Sequence, residues 1–233
     1  MRKFLAGVLA LGVVLGGVGV ARASGDWVAH AQVIPVLARN VADGTTVADV
    51  HEGRQGLPVP CCEEVRSVGH WQGASPFAIG LRVLGGGVDG GYGGVDEHFR
   101  LVDADGGTIY SLLEADSSVG CAPDGTARSD TGAVRVQTGA GYRWVDGTRP
   151  ELTTGVPVDA ATVADFELVR ITGAAQVEEF TGAWAADVAA GSGWVLDARL
   201  RDSATGAETA HHRFLVAAGY CSARSGPAAG TGR

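Results

Sequence analysis

Lysine is almost missing from this chain: Lys3 is the single one among 233 residues, and every later basic residue is arginine. A phosphate cradle of the P-loop type is excluded at once, because it needs a lysine and a following helix after its glycines. Positive charge is scarce as well. The formal net charge is −8 and falls to about −11 once the basic amino terminus is set aside. That balance disfavours nucleic acid and anionic membrane surfaces, and neither is expected as a partner, since both demand a cationic footprint. Long stretches of helical periodicity are absent, and no segment after Val20 is apolar enough to span a bilayer. No CxxC, HxH or HExxH spacing occurs, so neither a zinc site nor any other metal centre is expected. No cofactor is implied either.

The amino terminus carries the clearest positive signal. Met1-Arg2-Lys3 is a short basic segment, Phe4 to Val20 is apolar, and Ala21-Arg22-Ala23 offers small residues where a signal peptidase cuts. Residues 1–23 are read as a cleaved signal peptide, which makes the mature protein secreted or extracellular, with periplasmic or cell-surface placement included. After cleavage no membrane insertion is expected. The Ala, Gly, Val and Arg excess reads as that of a high-GC bacterial genome, with a halophile as the alternative.

Four cysteines remain, Cys61, Cys62, Cys121 and Cys221. An even number in an exported chain predicts two disulfides. Adjacent side chains on an extended segment point to opposite faces, so Cys61 and Cys62 are expected to divide between Cys121 and Cys221.

Glycine is the most conspicuous excess, at 37 residues. Short β-branched and aromatic runs alternate with Gly, Asp, Thr and Pro clusters, which predicts an all-β fold, a β-sandwich. In Gly193–Leu200 the residues Trp194, Leu196, Ala198 and Leu200 share one face. Asp202–Gly206 supplies a turn, and Glu208–Ala217 returns with Ala210, His212, Phe214 and Val216 on one face. Phe99 and Leu101, the turn Asp103–Gly107 and the run Ile109–Leu113 repeat the pattern. Further strands are expected at 133–137, 142–145 and 27–37, the last with Pro35 at an edge or a strand break. A helical turn or two is expected at 160–166.

Landmarks recur in the same order. Arg100-Leu-Val-Asp103 parallels Arg199-Leu-Arg-Asp202, Gly106 parallels Gly206, and Cys121 parallels Cys221. The pattern reads as a degenerate internal duplication of residues 61–121 and 165–221, giving two similar Ig-like halves. The organisation expected is a β half at 24–148 with a Gly-rich loop at 85–94, a connector at 149–164, a second β half at 165–221 and a disordered tail at 222–233.

Catalytic residues do not stand out. There is no GxSxG elbow, and the paired acids Glu63-Glu64, Asp96-Glu97 and Glu178-Glu179 read as solvated faces. Asp103-Ala-Asp-Gly-Gly107 reads as a hairpin turn and not as a calcium loop. The Gly-rich segment is the most distinctive local feature, and loops on a rigid β scaffold commonly hold recognition sites. Asp89, Tyr92, Asp96 and His98 are therefore the candidate ligand-binding residues. The function expected is that of an exported, non-catalytic binding or surface module for an extracellular ligand or protein. A secreted hydrolase with a dispersed carboxylate and histidine site is the alternative, followed by an extracytoplasmic metal-binding protein.

Overall fold

Alternation of apolar and polar residues decides where each strand buries its side chains, and here it builds two antiparallel sheets that close on each other as a sandwich. The computed structural model describes residues 27–52, 64–65, 78–89, 91–122, 124–181 and 188–225. The expected signal peptide, residues 1–23, together with Cys61, Cys62, His70 and Trp71, lies outside these residues.

The first sheet runs in the order β10 (Glu151–Pro157), β11 (Thr162–Arg170), β12 (Val188–Asp202), β13 (Glu208–Ser225), β1 (Trp27–Asn40) and β2 (Thr46–Glu52). The second runs β3 (Glu64–Val65), β4 (Ala78–Asp89), β5 (Tyr92–Val102), β6 (Thr108–Cys121), β8 (Val134–Thr138) and β9 (Gly141–Val145). A short strand, β7 (Ala127–Thr131), pairs with the carboxyl-terminal half of β6. The inner faces meet in one core of Val33, Phe99, Leu101, Tyr110, Leu112, Phe166, Trp194, Leu196 and Phe214, all fully buried. Phe99 and Phe214 pack ring to ring across the sheets with centroids 5.6 Å apart.

A second apolar cluster lies on the outer face of the first sheet. Helix α1 (Ala174–Thr181) covers it, setting Val177 and Phe180 against Ile34, Leu37, Leu215 and Ala218. Those two helix residues are three apart and so share one face. The outer face of the second sheet has no such cover from any described helix.

The two predicted hairpins form, with Leu196 opposite Phe214 and Leu101 opposite Tyr110. Several expectations need correction. The expected loop at 85–94 is overturned, because 85–89 and 92–94 are strand: Gly86 pairs with Val95, Gly87 with Gly94 and Asp89 with Tyr92. Gly86 has φ 147, and a Cβ there would sit 2.5 Å from the Gly94 carbonyl oxygen, so glycine is what lets this hairpin close. The one described helix lies at 174–181, whereas 162–170 is β11, whose alternating Ala164, Phe166 and Leu168 are buried against the core. Residues 151–157 of the expected connector are β10, and 222–225 of the expected tail continue β13.

Pro35 is a further correction, because it stands inside β1 with β13 on one side and β2 on the other. The sheet accommodates it by breaking register: β1 slips against β2 between Val33 and Val36. On β13 the facing residue, Ala217, adopts φ 45. With Ala218 it forms a bulge against the single residue Gly193 of β12. Proline offers no N–H to the ladder, and the Ala217 backbone finds its partners in the second sheet. Its N–H donates to Glu97 Oε1 at 2.9 Å and its carbonyl accepts from the Ser117 hydroxyl. Gly193 N–H likewise donates to Thr131 Oγ1 at 2.8 Å. A polar seam thus crosses the core where the ladders are interrupted.

A single disulfide among the described residues joins the same two layers. Cys121 at the end of β6 bonds Cys221 on β13 across 100 residues of sequence, with Cα atoms 5.8 Å apart. The expected division of Cys61 and Cys62 between these two is overturned, because strand stacking brings Cys121 and Cys221 directly onto each other. A disulfide of this kind is consistent with an oxidising compartment.

Candidate functional site

Strand β5 alternates strictly, so its candidate residues separate by face. Tyr92, Asp96 and His98 project from the outer face of the second sheet, while Glu97 points inward and is fully buried. The reading of Asp96-Glu97 as a solvated acid pair is corrected here: Glu97 follows Val95 and precedes Phe99 on the core-facing side. Burial drives its carboxyl well above the usual carboxylate range, against the smaller opposing effect of the Ala217 amide bond.

The outward-facing residues do not form one cluster. Asp89 and Tyr92 lie at the hairpin tip, where Tyr92 is 60% exposed and its ring lies over Gly120 of β6. His98 is six residues farther along, about 20 Å at strand rise. Asp96 faces Asp116 on β6, whose carboxyl is raised by burial first and then by the charges of Asp96 and Asp130.

His98 stands in different company. Between the pairs Glu97–Ala115 and Phe99–Leu112, β6 carries two residues, Leu113 and Glu114, against the single His98. Glu114 takes φ 58 there, a conformation uncommon outside glycine. Such bulges re-aim side chains and are enriched beside functional sites. The bulge opens a cleft of about 270 Å³ on the outer face, lined by Arg82 of β4, His98 and Arg100 of β5, Ser111 and Leu113 of β6, and Gln137 of β8. Among the described residues no carboxylate is part of its lining.

Two polar atoms in this lining are buried without a hydrogen-bond partner, His98 Nε2 and Ser111 Oγ. Ser111 as a whole is only 2% exposed. Burial lowers the His98 imidazole below its ordinary value, and Arg82 pushes in the same direction. Arg100 is laid across β4 by a glycine: a Cβ on Gly80 would come within 2.6 Å of the Arg100 Nε. Chemically, the cleft offers two guanidinium groups, a hydroxyl and a neutral imidazole to a ligand with acceptor atoms.

Beside the cleft the same face carries aromatic rings. Tyr142 and Trp144 alternate on β9 and are 69% and 59% exposed. Between them lies Arg135 of β8, its guanidinium carbon 5.4 Å from the Tyr142 ring centroid and 6.0 Å from that of Trp144. Arg135 is held from the other side by Glu114 at 2.9 Å. Tyr142 is the β-ladder partner of Gln137, so the rings border the cleft.

A second polar cluster occupies the first sheet. Asp197 Oδ1 meets His211 Nε2 and Arg213 Nε, each at 2.9 Å, and Arg213 reaches Glu179 of α1 at 3.1 Å. Among the described residues no group of three His, Cys, Asp or Glu side chains is placed to hold a metal ion, and no helix is long and apolar enough to cross a membrane.

Of the four candidates, His98 reaches the cleft, while Asp96, Tyr92 and Asp89 lie progressively farther along the hairpin. Arg82, Arg100, Ser111 and Gln137 escaped sequence reasoning. Their strands alternate, but which strands are neighbours is not written in any one of them. The exposure of Trp144 is likewise something that only the fold shows. Comparison with family models, curated proteins and solved structures returns no match.

Proposed function

We propose that this chain is an exported, non-catalytic β-sandwich binding module whose recognition surface is the outer face of the second sheet. The observation that carries the reading is the meeting of His98, Arg82, Arg100 and Ser111 in one cleft bordered by the exposed Tyr142 and Trp144. A sheet face with rigid strands beneath it holds such side chains in place at little entropic cost on binding. The candidates Asp89, Tyr92 and Asp96 extend the same face toward the hairpin tip.

The test is a binding screen of the purified mature protein against carbohydrates, peptides and small acids, repeated with an R100Q/Y142A/W144A variant. Loss of binding in the variant, with ligand recovered chemically unchanged, supports the reading. Ligand recovered as a cleaved product would replace it with the hydrolase alternative, for which the His211–Asp197 pair is the place to look. Binding that survives the triple substitution moves the site elsewhere.

We also propose that the two sheets descend from a duplicated unit. The compared segments fall in different sheets. Both hairpins end in turns closed by an aspartate Oδ1, Asp103 to the amides of Asp105 and Gly107, and Asp202 to those of Ala204 and Thr205. Gly106 and Gly206 follow with φ 83 and 72. The matching cysteines are bonded to each other.

A further inference from the structure

Two aromatic rings on the outer face of the second sheet are held in place and yet left open to solvent. Tyr142 and Trp144 are 69% and 59% exposed. They stand two residues apart on β9, about 6.6 Å at strand rise. The Arg135 guanidinium engages a face of each, 5.4 and 6.0 Å from the two centroids, so the exposed surface lies on the opposite faces. Arg135 is fixed in turn by Glu114 at 2.9 Å, from the bulge where Glu114 takes φ 58. The rings are thus set before a ligand arrives, which lowers the entropy lost on binding.

A hollow lies on either side of the pair. Trp144 lines an open groove of about 570 Å³ together with Asp146, Thr148, Arg149 and Glu151. Tyr142 borders the cleft of about 270 Å³ at its ladder partner, Gln137. Both hollows are rich in donors and acceptors. An apolar partner pressed onto the rings would strip water from these groups without replacing the lost hydrogen bonds, which is costly.

Among the described residues neither sign of charge prevails along this stretch. Arg135 is paired with Glu114, and Arg143 with Glu151 at 2.6 Å. Arg149 shares its groove with Asp146. On the cleft side Glu64 is the ladder partner of Arg82, and Arg100 is engaged in an interaction of its own. Around His98 the charges of Arg82 and Arg135 oppose those of Asp96 and Glu114. A ligand of either sign gains little from a surface balanced in this way. Nucleic acid, whose bases also stack on aromatic rings, is further disfavoured by the net charge of −8.

Resting on the reading of this face as a ligand face, we infer that Tyr142 and Trp144 form a stacking platform for a neutral oligosaccharide chain running along β9. A sugar ring has an apolar C–H face to lay on an aromatic ring. Its hydroxyls both donate and accept, as the mixed acids, guanidinium groups and amide beside the rings require, and it brings no charge. Two rings at this spacing serve neighbouring sugars of a chain, with flanking units in the groove and at the cleft.

The experiment combines calorimetric titration with nuclear magnetic resonance of the tryptophan indole N–H signals, Trp144 being the signal missing from W144F. The probes are cellotetraose, chitotetraose, maltotetraose and glucose, with a galacturonate tetramer as the charged counterpart and a tryptic digest of casein as a source of peptides. The expected result is a saturable shift of the Trp144 signal with a neutral tetrasaccharide, at an affinity about tenfold or more above that for glucose. Without a charge on the ligand, binding should be unchanged between about 50 and 500 mM salt. Y142A and W144A should each weaken it by about tenfold, the order of one aromatic stack. Tm should hardly move, because both rings are exposed. W144F keeps a ring and should retain most of the affinity.

The inference is overturned if no neutral tetrasaccharide gives a saturable shift at Trp144, or if Y142A and W144A bind it like the wild type. A galacturonate tetramer bound more tightly than the neutral chains, and released by salt, would also overturn it. So would a Trp144 signal that moves with the peptides alone. Either of these last two results leaves the ligand face intact. Sugar binding that shifts only other tryptophans and survives R100Q/Y142A/W144A would bring down both readings together.

Discussion

Glu97 and Ala217 are joined across the core, the buried carboxyl of one sheet accepting the backbone amide of the other at 2.9 Å. The bond follows from Pro35 and the bulge beside it, which turn the Ala217 peptide out of its ladder. A fully buried Glu with one oxygen left unpartnered is held in its neutral form, since an unpaired charge there would be far more expensive than a proton.

Two strongly buried groups, that carboxyl and His212, contribute opposite slopes to the pH dependence of stability. Glu97 keeps its proton in the fold and loses it near pH 4.5 when unfolded, so its contribution falls as pH rises from about 4.5 toward its raised value. The slope is at most about 1.4 kcal/mol per pH unit. His212 behaves oppositely: burial, followed by the neighbouring His211, lowers it to about 4. Its contribution is complete above pH 6.5 and is lost as pH falls from 6.5 to about 4. The two slopes oppose each other between pH 4.5 and 6.5, and above that range only Glu97 acts. Urea denaturation of E97Q should show a stability that no longer declines above pH 6.5. H212N should reduce the acid-side loss, leaving the part that comes from His98, which burial also lowers.

Replacing the acceptor outright should cost more than neutralising it. E97L leaves the Ala217 amide without a partner, and S117A does the same to the Ala217 carbonyl. Each should lower stability by about 1–3 kcal/mol at neutral pH, read as a shift in denaturation midpoint with an unchanged slope. E97L as stable as E97Q would show that the amide bond contributes nothing.

Digestion without reductant should yield a cross-linked peptide pair containing Cys121 and Cys221. C121S/C221S should lose about 2–5 kcal/mol, as expected for a bridge closing a long loop. A peptide joining Cys121 to Cys61 or Cys62 would contradict the sheet stacking described here.

The α1 contact gives an independent check on the second apolar cluster. F180A should cost about 3–5 kcal/mol if Phe180 is as firmly packed as the helix–sheet geometry shows. A loss below about 1 kcal/mol, by denaturation, would mean that the helix contributes little to holding the first sheet.

Much of the scaffold is legible without coordinates. The run Trp194, Leu196, Ala198, Leu200 buries as its period of two demands, and the Asp-x-x-x-Gly turns close as their residues require. The glycine run at 85–94 misleads because its low strand propensity is a loop signal, whereas the close approach of Gly86 to Gly94 turns it into strand. Glu97 is a subtler case: alternation puts it inward, but charge argues for solvent, and only the Ala217 amide decides between them.

What the sequence determined is therefore local: an all-β chain, its hairpins, their turns and the inward faces of its clearest strands, because period and turn chemistry act over a few residues. What only the tertiary structure decided is which distant strands meet. That placed Cys121 on Cys221 and Glu97 on Ala217. It also gathered Arg82, His98, Arg100 and Ser111 into one cleft, since strand order and bulges depend on how whole sheets pack, and no short window of sequence contains that information.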